Sequence, residues 1–169
     1  KGCYIKDCKT IDQLFETQIL EKIVHHKPII KYDTIPSTFT SLREWPTSVN
    51  IHCWYCSLTF DTVPVFIPKV IEPSIRNASE YTIATHGCFC SFNCAISYNN
   101  LHNAKLCKNI QVMDMILFIY KIFNNGNTHE IYESPNKYTL TKYGGLLTPG
   151  EYKDQINILH TNSQRQSKN

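Results

Sequence analysis

The sequence lacks a long hydrophobic run and has few charged residues. Its longest apolar stretch, Met115 to Tyr120, is far shorter than the roughly 20 residues needed to cross a bilayer, so we expect no membrane partner. Charged residues make up 18% of the chain and the net charge is +3, which permits a nucleic-acid partner without requiring one. No signal peptide is recognisable, although the chain starts at Lys1 and a leader with a targeting segment could precede it.

Recognisable catalytic motifs are also missing. We find no nucleophile with a paired base, no pair of carboxylates and no phosphate-binding loop, so we predict that the protein is not an enzyme. The eight cysteines would suit a disulfide scaffold in a secreted protein. Without a secretion signal, a reducing compartment and a metal site are the better interpretation.

Four of the cysteines have the spacing of a structural zinc site. Cys53 and Cys56 form a C-x2-C pair, and Cys90 and Cys94 form a C-x3-C pair. The first spacing suits a tight knuckle, and the second places two thiols one turn apart on a helix, whose N-terminus favours thiolate charge. Four thiolates give Zn²⁺ the closed tetrahedral shell of a structural site. We therefore predict one structural zinc ion bound by these four residues.

Other potential ligands are weaker candidates. Cys88 could compete with Cys90 as a ligand, but only Cys90 makes the i, i+4 pair with Cys94, so we expect Cys88 to be a buried thiol. His52 and His86 flank the cysteine pairs and are expected to support the site or lie at the surface. A second site remains open, formed from this set: Cys3, Cys8, His25 and His26.

The chain is predicted to be α+β, a small treble-clef-like zinc module with flanking helices. We assign residues 1–44 to a helical and extended region, 45–104 to the zinc module, 105–160 to a helical extension and 161–169 to a disordered tail. Around the cysteines, strands are predicted at 63–71 and 80–85, and a helix at 91–104. Prolines 64 and 68 should confine the first strand to an edge or a bulge.

Helices are also predicted on both sides of the module. The first spans residues 10–26, from a Thr10 capping box to Pro28. The second spans 110–123, with this apolar face: Ile110, Met113, Leu117, Tyr120 and Phe123. A short strand is predicted at 138–143, and Thr148 should cap a last helix with Pro149 at its first position.

Lysines and aromatic residues supply candidate contacts for a partner. The lysines that could contact phosphates or a partner are Lys105, Lys108, Lys137 and Lys142. The aromatics that crowd the cysteines are Trp54, Tyr55, Phe60, Phe66, Phe89 and Phe92. If exposed, these rings could stack on bases; otherwise they fill the core of a small module.

The residues around the cysteines resemble a known family. Phe89 to Cys94 with the upstream pair is similar to the FCS-type or MYM-type zinc finger. The wider pattern consists of Trp45-Pro46, Ile51 to Cys56, Phe60-Asp61-Thr62, Gly87 to Cys94 and Tyr143-Gly144-Gly145. This pattern resembles the viral late transcription factor 2 and 3 group of large cytoplasmic DNA viruses, which has members in poxviruses and African swine fever virus. The likeness covers about residues 45–155.

The resemblance implies a factor that helps the viral RNA polymerase transcribe late genes in factories in the host cytoplasm. It implies that Cys53, Cys56, Cys90 and Cys94 bind zinc, and that polymerase, other late transcription factors or DNA are the partners. One alternative is a viral interaction protein that antagonises host innate signalling by binding a host protein or an anionic second messenger. Another is sequence-independent nucleic-acid binding as the main activity.

Overall fold

A computed structural model of the chain describes residues 31–73, 81–103, 107–127 and 129–166. The predicted helix at 10–26 and the candidate ligands Cys3, Cys8, His25 and His26 lie outside these residues. The described part belongs to one compact unit that begins at Lys31. Helices and a sheet both contribute to it, as predicted.

A three-stranded antiparallel sheet supports the cysteine pairs. Strand β1 spans Thr38–Phe39, β2 spans Val65–Pro73 and β3 spans Tyr81–Phe89, in the spatial order β1-β3-β2. β2 is thus an edge strand, and its register shifts between Pro68 and Val70. The edge position and the irregular register agree with the prediction for a strand that contains Pro68.

A second bulge lies in β3, at Gly87. Val65 pairs with Phe89 and Ile67 pairs with His86, so β3 has one residue more than β2 between these pairs. Gly87 has a φ of +75°, the left-handed conformation that glycine adopts in such bulges. The predicted strand ends at this glycine, whereas the observed strand continues through it to Phe89, because the bulge accommodates the extra residue.

Three helices are described in the rest of the unit. Helix α1 spans Phe92–His102, α2 spans Cys107–Phe123 and α3 spans Pro149–Gln166. α1 and α2 pack against each other and against β2. α2 ends where Asn125 and Gly126 adopt positive φ, which the left-handed C-terminal cap of a helix requires.

The apolar face predicted for α2 is partly wrong. Ile110 is 66% exposed and Leu117 is also exposed, whereas Ile116, Ile119 and Tyr120 are buried. Most positions in this helix are apolar, so its buried face depends on where β2 and α1 lie and not on periodicity alone.

The predicted strand at 138–143 is also wrong. Lys137–Thr139 and Thr141–Tyr143 are two short 3-10 helices. Asn136 begins the first, because its side-chain oxygen accepts a hydrogen bond from the Tyr138 backbone N–H at 3.0 Å. Gly144, at a φ of +86°, ends the second.

The beginning of α3 matches its prediction. The Glu151 carboxylate accepts a hydrogen bond from the Thr148 backbone N–H at 2.8 Å, and the Thr148 hydroxyl accepts one from the Glu151 backbone N–H at 3.3 Å. This reciprocal pair is a capping box. The helix extends past residue 160, where the sequence predicted a disordered tail, since no proline or glycine interrupts it before Gln166.

An aromatic cluster forms the core beneath the sheet. The ring of Phe39 lies 5.2 Å from that of Phe66 and 5.4 Å from that of Trp45, and the Trp45 indole N–H donates to the Pro64 carbonyl at 2.8 Å. Phe39 of β1 is fully buried in this cluster.

Candidate metal centre

The first cysteine pair lies in a tight knuckle that follows directly from its backbone hydrogen bonds. The Cys53 N–H donates to the Leu58 carbonyl at 3.0 Å, and the Ser57 N–H donates to the Cys53 carbonyl at 2.7 Å. Ser57 closes the turn with a φ of +55°, a conformation that costs a non-glycine residue on the order of 1–3 kcal/mol. The reversal brings the thiols of Cys53 and Cys56 together.

The second pair lies where β3 passes into α1. Cys90 follows the last residue of β3, and Ser91 is the N-cap of α1, its hydroxyl accepting from the Cys94 N–H at 3.2 Å. The bulge at Gly87 precedes both cysteines. Because one extra residue reverses the alternation of side chains along a strand, the bulge decides which face of β3 Cys88 occupies.

Two hydrogen bonds join the knuckle region to this strand-to-helix junction. The Trp54 N–H donates to the Cys88 carbonyl at 2.9 Å, and the Thr62 hydroxyl donates to the Cys90 carbonyl at 2.9 Å. These two hydrogen bonds, as well as the thiols, therefore set the relative position of the two cysteine pairs.

The structure brings together the four cysteines that the sequence singled out. Their Sγ atoms all lie within 4.8 Å of one another, and in the described residues they are the one group of ligand side chains close enough to hold a metal ion. The Cys56 and Cys90 sulfurs are 3.9 Å apart, and the Cys90 and Cys94 sulfurs 3.5 Å. A tetrahedral shell with metal–sulfur bonds of about 2.3 Å requires sulfur separations of about 3.8 Å.

Burial is consistent with a closed metal site. Cys53, Cys56 and Cys94 are buried, and only Cys90 is partly exposed. The sulfur separations are far longer than the roughly 2.05 Å of a disulfide bond. The donor set and its geometry thus fit a four-coordinate ion that prefers thiolates.

The four thiols titrate as a group. Burial raises the pKa of Cys53, but hydrogen bonds from the other three thiols outweigh burial and lower that pKa below its ordinary value. The pKa of Cys94 is raised well above its ordinary value, first by its hydrogen bond to Cys53, and the pKa of Cys90 is raised for the same reason. Ionisation of one thiol therefore disfavours ionisation of the next, and a bound cation would offset the repulsion between the thiolates.

Cys88 and the two histidines lie outside this group. Cys88 is buried, and burial raises the pKa of its thiol to about 12, as expected for an unreactive core cysteine. His52 is exposed. The imidazole of His86 packs edge-on against the Trp54 indole with ring centroids 5.3 Å apart, so it supports the knuckle from outside.

Comparison with known proteins places the chain in a viral family. It is 34% identical over 165 residues, covering 95% of this chain and 86% of the relative, to "Uncharacterized protein B175L" of African swine fever virus from the Pretoriuskop and Badajoz isolates. The chain belongs to the B175L family. A 27% identical stretch of 110 residues also matches "Uncharacterized protein R450" of Acanthamoeba polyphaga mimivirus, of which it covers 28%.

No family model matches the chain, and no solved structure matches it. The relatives that do match come from large DNA viruses. Among the helices of the described residues, none has both the length and the apolar character to cross a membrane.

The four lysines predicted to bind a partner lie in different parts of this B175L family member. Lys105 and the side chain of Lys108 lie outside the described part of the chain. Lys137 and Lys142 lie in the two 3-10 helices, and the Lys142 ammonium donates to the Ser57 carbonyl of the knuckle. The structure thus brings Lys142 to the knuckle, a proximity that the sequence did not predict.

The aromatic residues near the cysteines mostly fill the core. Tyr55, Phe60, Phe66, Phe89 and Phe92 are buried. Trp54 differs, since it is 47% exposed although its neighbours on both sides belong to the knuckle.

Sequence reasoning missed a buried polar cluster that joins α3 to the module. Tyr152 is fully buried, and its hydroxyl donates to the Pro135 carbonyl at 2.6 Å. The Ser134 hydroxyl bonds to the Ser97 hydroxyl of α1 at 3.1 Å. A signal was available: Tyr152 and Ile156 are four residues apart just after the capping box, which is the spacing of an inward helix face.

A cleft of about 550 Å³ opens beside the metal centre. Cys56 and Cys90 lie at one wall, apolar side chains of α2 and α3 such as Phe123 and Ile156 form another, and Asp61 and Lys153 line it too. The partial exposure of Cys90 is consistent with its position at this cleft.

Proposed function

We propose that the protein is a zinc-stabilised factor for late viral gene transcription that acts by binding other molecules and not by catalysis. The observation that carries the first part is the cluster of four thiols between a knuckle and a capped helix N-terminus. Among common metals, an all-thiolate tetrahedral site favours zinc or iron–sulfur chemistry. The C-x2-C and C-x3-C spacing of the treble-clef type favours a single structural zinc ion.

Metal analysis tests this part directly. We expect the purified protein to hold one zinc ion per chain and Cys94→Ser to lose it. Cys88→Ser is the matched control, because Cys88 is equally buried and lies outside the thiol cluster. A wild-type protein without zinc, or a Cys94→Ser variant that keeps both zinc and thermal stability, would contradict the proposal.

The second part, late transcription, rests on the family resemblance together with membership in a family of large DNA viruses. The protein would work in cytoplasmic factories of the host cell. Its partners would be the viral RNA polymerase, another late factor or DNA. The proposed contacts are Lys105, Lys108, Lys137 and Lys142, because lysine side chains are among the groups that bind phosphate oxygens in nucleic-acid complexes.

The proposal gives the metal a structural role. Four thiolates leave zinc no open coordination position for a substrate or an activated water. Loading the ion would therefore stabilise the fold and fix the surface that binds partners, since metal-binding free energy contributes directly to folding in such modules.

Controlled repression of the gene during infection tests the second part. We expect late viral mRNAs to fall while early mRNAs and viral DNA synthesis persist, and a wild-type copy supplied in trans to restore them. If late mRNAs are unchanged and the protein instead captures a host signalling component, the transcription proposal fails and antagonism of host signalling replaces it.

A further inference from the structure

An exposed surface beside the knuckle combines aromatic rings with cations. It consists of Lys137, Tyr138, Lys142 and Tyr143, which we call the tyrosine–lysine patch. Tyr138 is 61% exposed and Tyr143 38% exposed, and their ring centroids lie 5.8 Å apart at an interplanar angle of 70°. Tyrosines this exposed contribute little to a core, so packing alone does not explain them.

Each ring in the patch has a lysine ammonium beside it. Lys137 Nζ lies 5.4 Å from the centre of the Tyr138 ring, and Lys142 Nζ lies 5.2 Å from that of Tyr143. Neither lysine forms a salt bridge within the described ranges of the chain, where Lys31–Asp61 is the ion pair observed. The patch therefore presents uncompensated positive charge next to aromatic surface.

The knuckle holds this patch in place. The Tyr143 hydroxyl and the Ser57 hydroxyl are hydrogen-bonded at 2.8 Å, and Lys142 donates to the Ser57 carbonyl. The segment is also tightly folded, because a Cβ at Gly145 would lie 2.1 Å from the Thr139 backbone. A rigid patch loses little conformational entropy when it binds a ligand.

We propose that the tyrosine–lysine patch binds single-stranded nucleic acid, with Tyr138 stacking on a base and Lys137 and Lys142 contacting phosphates. The inference rests on the proposed function and specifies its partner. A ligand that combines planar rings with regularly spaced negative charge matches the patch in both chemistry and charge. Single strands are favoured over duplexes, because base pairing and stacking hide the ring faces that a tyrosine would contact.

Titration of labelled oligonucleotides at several salt concentrations tests the proposal. The probes are a short oligothymidylate, an oligouridylate of the same length and a duplex of mixed sequence. We expect both single strands to bind more tightly than the duplex. A difference between the two single strands would distinguish DNA from RNA as the ligand and would still support the patch.

Two variants test the contribution of the lysine charges and that of the Tyr138 ring separately. Replacing Lys137 and Lys142 by glutamine should reduce the slope of the logarithm of the binding constant against log salt by about 1.4, at about 0.7 per phosphate contact on a single strand. The control is Lys121→Gln, which replaces an exposed lysine on α2 and should leave this slope unchanged. Tyr138→Leu should weaken binding about five-fold or more, whereas Tyr32→Leu, an exposed tyrosine outside the patch, should not.

The proposal is overturned if the wild-type protein binds no single strand, or if the Tyr138→Leu and double-lysine variants bind as the wild type does with their zinc content intact. Complementation in infected cells separates this failure from failure of the proposed function. A Tyr138→Leu protein that restores late mRNAs fully would remove the patch from the mechanism while leaving the transcription role in place.

Discussion

Gly87 should be among the positions of the module most sensitive to a single added methyl group. Its φ is +75°, and a Cβ there would lie 2.6 Å from the Phe89 ring and 3.2 Å from the Trp54 ring. Phe89 is fully buried, so it cannot move aside without disturbing the strand that leads into Cys90. We therefore expect Gly87→Ala to destabilise the fold and to loosen the metal centre.

The expected cost has two parts. A left-handed backbone conformation costs an alanine about 1–2 kcal/mol relative to glycine, and overpacking a filled core costs about 1–3 kcal/mol more. Their sum is about 2–5 kcal/mol. The second part is specific to Gly87, because Gly126 and Gly144 have a φ of +86° each but nothing within 4 Å of the added Cβ.

Guanidinium unfolding of the zinc-loaded protein measures this difference. Gly126→Ala and Gly144→Ala should lose only the backbone part, about 1–2 kcal/mol. Gly87→Ala should lose about 1–3 kcal/mol more than either control, and it should release zinc to a weaker chelator. If Gly87→Ala is no less stable than the two controls, the bulge does not constrain the metal centre as we argue.

Three further predictions follow from contacts described above. Chelation at neutral pH should lower the thermal midpoint of the wild type and of Cys88→Ser alike, and leave Cys94→Ser unchanged, as seen in melting curves with and without chelator; a wild type unaffected by metal loss would contradict this. Tyr152→Phe should cost about 0.5–1.5 kcal/mol in urea unfolding, because it removes the 2.6 Å hydrogen bond from the buried Tyr152 hydroxyl to the half-buried Pro135 carbonyl; an equal stability would show that the cluster is dispensable. Hydrogen bonds from the Thr148 backbone and then its side chain lower the pKa of Glu151 below its ordinary 4.5. The wild type should therefore be more stable than Glu151→Gln above pH 4.5, and this difference should vanish as the pH falls through the lowered pKa. A difference in unfolding free energy that does not change with pH would be the contrary result.

The local signals in the sequence predicted local structure well. The capping box at Thr148, the proline-tolerant edge strand and the helix that follows Ser91 each depend on a few neighbouring residues, and the structure has all three. The spacing of the cysteines likewise indicated which thiols to group. These features succeed because hydrogen bonds and steric limits within one turn or one strand decide them.

The features that failed depend on distant contacts. The buried face of α2 is set by the elements that cover it, so Ile116 and Ile119 lie inward while Ile110 does not. β1 is two residues long and forms only because Thr38 and Phe39 pair with Ala84 and Ile83, which lie far along the chain. The proximity of Lys142 to Ser57 arises in the same way, across 85 positions, and no local pattern could indicate it.

The two cysteine pairs also have a consequence for how the chain can vary. Cys56 and Cys90 are 34 positions apart, and the whole β2–β3 hairpin lies inside the loop that a shared ion would close. Closing a loop of that length restricts the unfolded chain by about 4 kcal/mol, yet doubling the loop would change this by only about 0.6 kcal/mol. The connection between Pro73 and Tyr81 can therefore lengthen or shorten among relatives at little thermodynamic cost, while any insertion within the knuckle itself would separate the two thiols it presents.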